Sequence, residues 1–164
     1  MSADFFGLLE RLVQGGVNFV IVGGFAGAAY GCCIVTQDME ICIELSEENL
    51  LRLQESLSGL NAVHRMTPKR VKLRLARVTC GQVENLYLDT DMGQLDCLGY
   101  VAGVGDYASA EKASEVLDVE GKKVRVLNLE SLIESKKARN RARDVAAVRE
   151  LRAIKELKKN KKQK

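Results

Sequence analysis

No Cys-x-x-Cys pair occurs in this 164-residue chain, which has one histidine (His64) and one proline (Pro68), and no internal repeat or linker-like stretch. Without such a pair, a zinc knuckle and a thioredoxin-like redox motif are excluded. One histidine cannot build a His-rich metal site, and His64 reads as a surface residue. The five cysteines, an odd number, stand at Cys32, Cys33, Cys42, Cys80 and Cys97. Cys42 and Cys97 lie inside apolar runs, where a free cysteine serves as a small buried hydrophobe. Reduced thiols in a cytoplasmic protein are the expected state.

Charge is absent from Leu12 to Gln37, a stretch long enough to imitate a membrane span. Six glycines between Gly15 and Gly31, together with Asn18, interrupt it, and Asp4 and Glu10 precede it where a signal peptide would carry basic residues. A buried strand, a glycine turn and a small-residue helix account for the run. No membrane segment is expected.

Net charge is small, +3, and unevenly spread. The last ten residues, Lys155 to Lys164, hold six lysines and one glutamate, so the preceding 154 are slightly acidic. With 46% hydrophobic and 29% charged residues, the composition is that of an ordinary globular protein. One domain over residues 1–154 and a Lys-rich tail over 155–164 follow from these numbers. Clustered lysines bind phosphate backbones without sequence preference, so the tail is a candidate nucleic-acid contact. The plainer reading is a frayed, solvated terminus. No aromatic residues are interleaved there, which leaves base stacking unsupported.

The apolar pattern predicts a helix from Phe5 to Val13 stopped by Gly15-Gly16, a buried strand at Phe19–Val22, and a small-residue helix over Ala26–Tyr30. A second strand follows at Met39–Glu44, then a helix from Glu47 to Leu57 capped by Ser46. Residues 62–78 are basic and fit no element. Strands at Val83–Thr90 and Gln94–Val101 flank a turn at Asp91-Met92-Gly93, and a polar helix covers Tyr107–Val116. A strand at Lys123–Leu127 precedes a helix capped by Asn128. A last helix begins near Arg141, with Val145, Val148, Leu151 and Ile154 at helical spacing. The fold class is α+β: a small mixed sheet flanked by helices, with a helical C-terminus.

Three acidic side chains stand out. Asp38 and Glu40 are two apart in a strand and so project from one face, with Met39 and Ile41 on the other. Asp96, in Leu95-Asp96-Cys97-Leu98, is a lone carboxylate in an apolar strand, where burial is costly unless it is paired or binds a metal. Should its strand neighbour that of Asp38 and Glu40, three hard oxygen ligands converge and suit Mg²⁺ or Mn²⁺, completed by substrate phosphates. Gly23-Gly24 can bring backbone N–H groups against a polyphosphate. A dinucleotide-binding turn is a weaker alternative: Gly24 and Gly27 fit its last two glycines and Glu44 lies about twenty residues on, but Val22 replaces the first glycine.

This ordered set resembles the nucleotidyltransferase (polymerase β-like) superfamily, in which a strand, a Gly-Gly pair, an Asp-x-Asp or Asp-x-Glu triplet and a later solitary carboxylate recur. Here they are Gly23-Gly24, the spacer Phe25–Gln37, Asp38-Met39-Glu40 and Asp96. Within the superfamily the chain is similar to small bacterial AbiEii-type and minimal nucleotidyltransferase groups. The matching residues are Gly23, Gly24, Ala26, Gly31, Thr36, Asp38, Thr90, Gly93, Leu95, Asp96, Leu98, Leu132, Ile133, Lys136, Arg141 and Asp144.

The resemblance implies transfer of a nucleoside monophosphate from an NTP, ATP foremost, to a hydroxyl on a protein, an RNA end or a small molecule. It implies that Asp38, Glu40 and Asp96 hold the metal ions and that Asp96 helps deprotonate the acceptor. Gly23, Gly24, Thr36, Lys136 and Arg141 would serve the nucleotide, with Lys136 and Arg141 neutralising phosphate charge. Two positions depart from the pattern. Glu40 stands where the subgroup generally has Asp, and Ile34 stands where relatives place an arginine two residues before Thr36. Ile34 motivates the alternative of a catalytically silent nucleotide-binding or interaction module, related to toxin–antitoxin pairs.

Overall fold

Asp4 starts the first helix by accepting the Gly7 N–H at 2.9 Å, and α1 (Phe5–Gln14) then buries Leu8, Leu9 and Leu12. It ends at Gly15, with Gly16 in the left-handed region (φ +67°). The computed structural model describes residues 2–33 and 35–164; Ile34 lies outside the described residues. The wholly buried strand β1 (Phe19–Val22) runs straight into α2 (Gly23–Ala29). The helix thus begins three residues earlier than expected, because Gly23 takes a left-handed φ of +64° and turns the chain without an intervening loop.

β2 (Asp38–Ile43) follows, then α3 (Glu47–Ser56), where Ser46 accepts the Asn49 N–H at 3.3 Å. The basic stretch that fitted no element holds β3 (Val63–His64) and the single turn α4 (Arg77–Cys80). β4 (Asn85–Thr90) and β5 (Gly93–Leu98) form the expected hairpin. Tyr100–Val101 do not extend β5. They form β6, which pairs with β7 (Gly105–Asp106) in a separate two-stranded ribbon.

α5 (Tyr107–Lys112) stops four residues short of the predicted end, and Ser114–Val119 is instead strand β8. The helix-forming run Ala-Ser-Ala-Glu-Lys ends there. Beyond it, Glu120 (φ +51°) and Gly121 (φ +79°) make a two-residue turn into β9 (Lys122–Leu127), and the hairpin claims Val116 and Leu117 for the sheet. Asn128 caps α6 (Leu129–Arg139) by accepting the Ser131 N–H at 2.8 Å.

α7 (Ala142–Lys162) runs through the lysine-rich stretch expected to fray. Its buried residues are Asp144, Ala147 and Leu151, with Val148 and Ile154 packed beside them. Val145, expected on that face, is exposed.

Seven strands form one mixed sheet in the order β3-β4-β5-β2-β1-β9-β8, with β2 parallel to β5 and antiparallel to β1. The core includes Ile21, Met39, Ile41, Leu88 and Leu95 from the central strands and Leu8, Leu50 and Leu53 from α1 and α3. Cys42 and Cys97 are fully buried within it, as their apolar neighbours implied, and Cys33, Cys42, Cys80 and Cys97 are free thiols. Among the described residues, no helix is long and apolar enough to cross a membrane.

Candidate active site

Glu40 of β2 lies directly opposite Asp96 of β5, and Asp38 stands opposite Gln94 in the same parallel register. Since Asp38 and Glu40 are two residues apart, all three carboxylates share one face of the sheet. Met39 and Ile41, on the other face, are fully buried. The strand of Asp96 thus neighbours that of Asp38 and Glu40, the condition on which the expected convergence depends.

The glycine pair seats this triplet. A Cβ on Gly23 would overlap Glu40 Oε2, and one on Gly24 would come within 2.8 Å of Thr36 Oγ1. Thr36 donates its hydroxyl to the Asp38 carbonyl at 2.7 Å, which pins the entry to β2. The segment before it is tied to α7, because Glu150 accepts the Cys33 N–H at 2.7 Å and the Cys32 thiol at 3.1 Å. Those bonds hold the Glu150 carboxyl below its ordinary range.

A cleft of about 250 Å³ opens beside the triplet, bordered by Gly24, Thr36, Asp38, Glu40, Lys136, Arg143 and Asp144, among others. Lys136 is 8% exposed and lies 4.0 Å from Asp144 Oδ1, while Asp144 Oδ2 is buried with no hydrogen-bond partner. Asp144 thus pairs across to α6, not with Arg141 one turn earlier in sequence. Arg141 borders a neighbouring groove of about 490 Å³ between α6 and α7, and Arg143 takes its place on the carboxylate side.

Two arginines complete the site. Arg139 Nη1 donates to Glu40 Oε1 at 3.2 Å, and Arg65 Nη2 donates to Asp96 Oδ1 at 2.8 Å. Arg65 is held in turn by its backbone N–H, which donates to the Tyr87 carbonyl at 2.8 Å, and its guanidinium lies 6.0 Å from the Tyr87 ring centre. Arg65 escaped the sequence reading because it falls in the basic stretch without periodicity. The signal that could have found it is Asp96 itself: a buried acid requires a partner.

Burial pushes the Asp96 carboxyl up to about 6; Arg65 opposes that shift, and the negative charges of Asp38 and Glu40 add to it. Three hard oxygen donors on adjoining strands, two of them buried, have the chemistry that Mg²⁺ or Mn²⁺ requires. As the side chains stand, with Glu40 and Asp96 turned to arginines, no three acidic, thiol or imidazole groups among the described residues are gathered to hold a metal ion. The donor types themselves are those of a hard divalent cation.

Comparison with known proteins bears on the fold. No family model matches the chain, and no curated protein matches it in sequence. Solved structures do. The lincosamide antibiotic adenylyltransferase LnuA, solved with lincomycin, superimposes with a TM-score of 0.61 at 12% identity, over 92% of this chain and 96% of its own. The Thermotoga maritima protein TM1012, a proposed nucleotidyltransferase, gives 0.58 at 18% identity over 89% and 88%. ANT(2")-Ia, solved with adenylyl-2"-tobramycin, gives 0.57 at 14% over 96% and 95%.

The chain has a nucleotidyltransferase fold. In this chain, β1, the Gly23-Gly24 start of α2, and the β2–β5 pair form the part of the sheet that bears the carboxylates. The two C-terminal helices bring Lys136, Arg139 and Arg143 to its rim.

Proposed function

We propose that the chain is a metal-dependent nucleotidyltransferase that moves a nucleoside monophosphate from an NTP, ATP first among them, to a hydroxyl acceptor. The observation that carries this is the register of Glu40 against Asp96 beside Asp38, behind a glycine pair that has no room for a side chain. The ordered motifs from Gly23 to Asp144 support a place among the small AbiEii-type and minimal nucleotidyltransferase groups.

In this reading Asp38, Glu40 and Asp96 hold Mg²⁺ or Mn²⁺. The bound ions would offset the charge of the triphosphate and of the entering and leaving oxygens. In this reading Asp96 also takes the acceptor's proton. Lys136 and Arg143 face the nucleotide's phosphates from the cleft wall, with Asp144 paired to the buried Lys136. A small polyhydroxyl acceptor is favoured: LnuA and ANT(2")-Ia, which share the fold over nearly their whole lengths, are solved with antibiotics or an adenylylated antibiotic.

A second reading, a catalytically silent nucleotide-binding module, draws on the capping of Glu40 and Asp96 by arginines. Labelled NTPs incubated with Mg²⁺ and candidate acceptors separate the two. Label transferred by the intact chain and lost in Asp96→Ala supports the enzyme. Nucleotide binding without transfer to any acceptor supports the silent module.

A further inference from the structure

Two cations sit on two of the anions that the proposed chemistry needs free. The Arg139–Glu40 and Arg65–Asp96 pairs are both largely shielded, with side-chain exposures of 24% and 12% in the first and 20% and 9% in the second. Asp38, by contrast, borders the cleft and has no ion-pair partner among the described residues. The two arginines come from unrelated places: Arg139 is the last residue of α6, and Arg65 follows β3 at the sheet edge. Arg65 Nη1 is buried with no hydrogen-bond partner, so this guanidinium has an unused donor beside the site.

A guanidinium matches carboxylate and phosphate oxygens with the same forked donors. One side chain can therefore neutralise a carboxylate in the free protein and a phosphate once that carboxylate is engaged elsewhere. We propose that Arg139 and Arg65 are exchangeable counter-ions: they cap Glu40 and Asp96 in the free protein and pass to the nucleotide's phosphates when a divalent cation takes the carboxylates. This rests on the metal–nucleotide reading above. Metal and nucleotide then bind cooperatively, since each provides a partner for the group that the other displaces, and the coupling is reciprocal.

The test is Mn²⁺ binding to the full chain, followed by electron paramagnetic resonance, with and without a non-hydrolysable ATP analogue. Without nucleotide, Arg139→Gln should bind Mn²⁺ about tenfold more tightly than the natural sequence, because a competing cation is gone. At saturating Mn²⁺ its affinity for the analogue should fall about tenfold, and Arg139→Lys should move both constants back. Arg65→Gln should behave alike. If it fails to fold, the less buried Arg139 decides the matter alone. Unchanged or weaker Mn²⁺ binding by Arg139→Gln overturns the exchange. Asp38→Asn separates that failure from failure of the underlying reading. Mn²⁺ affinity that depends on Asp38 but not on Arg139 sinks only the exchange, whereas Mn²⁺ affinity indifferent to Asp38 sinks both.

Discussion

Glu40 and Asp96 face each other across adjacent parallel strands, each bound to an arginine distant in sequence. Such a pair of buried anions repels itself, and the arginines relieve that repulsion in the free protein. Their environment controls stability as well as chemistry.

Asp96 makes stability pH-dependent in a direction opposite to most carboxylates. Its folded-state pKa, raised from 3.8 to about 6, means that the native protein binds this proton more tightly than the unfolded chain does. Between roughly pH 4 and pH 6 the native state holds more protons, so this group's contribution to stability falls as pH rises through that window. Denaturant melts in metal-free buffer should show the decline, and Asp96→Asn should remove it. A contribution that rises with pH instead would contradict the burial argument.

Gly23→Ala should damage the site before the core. The new Cβ would overlap Glu40 Oε2 at a backbone φ of +64°, a conformation that costs a non-glycine residue about 1–3 kcal/mol. Urea melts should report that loss, and Mg²⁺-dependent nucleotide binding should drop with it. Gly16→Ala, also at positive φ (+67°) but with open space around its Cβ, is the control that should lose stability while keeping nucleotide binding.

Lys136 and Asp144 are a buried pair, and breaking it from one side strands a charge. Asp144→Ala should cost roughly 3 kcal/mol in equilibrium unfolding. The double change Lys136→Met with Asp144→Leu should restore most of that stability, since replacing both partners by apolar groups leaves no unpaired charge. It should not restore nucleotide affinity. Full recovery of binding in the double variant would remove Lys136 from the proposed nucleotide contacts.

Removal of residues 155–164 should change little at the carboxylate site. The tail is tied down by Lys155 to Glu130 at 3.9 Å, Lys158 to Glu115 at 3.5 Å and Lys158 over the Tyr30 ring at 4.8 Å. Exposed pairs of this kind contribute about 0–1 kcal/mol each. Calorimetry should show a small loss of stability with nucleotide affinity intact. Salt-sensitive binding of nucleic acid, where present, should disappear on the same truncation.

Local patterns in the sequence revealed the central elements and the acidic triplet. Phe19–Val22 is a buried strand because four apolar residues stand between turn residues, and Asp38 and Glu40 share a face because a strand repeats every two residues. Non-local facts were hidden. β8 is a strand because it pairs with β9 around Glu120-Gly121, which outweighs the helical start at Tyr107. Arg65 and Arg139 reach their carboxylates over separations of 31 and 99 residues. Lys136 and Arg141 stood out together as basic residues, yet only Lys136 borders the carboxylate cleft, because Asn140 at φ +47° ends α6 and redirects the chain between them.

Isothermal titration of a non-hydrolysable ATP analogue in Mg²⁺, into the natural sequence and into Asp38→Asn, tests the central claim most directly. Asp38 is the one carboxylate of the three without an arginine partner among the described residues, so its substitution leaves the Arg65 and Arg139 pairs in place. The carboxylate-site account predicts Mg²⁺-dependent binding by the natural sequence and a loss of at least about tenfold in Asp38→Asn, or about 1.4 kcal/mol. Equal, Mg²⁺-independent binding by both would contradict it.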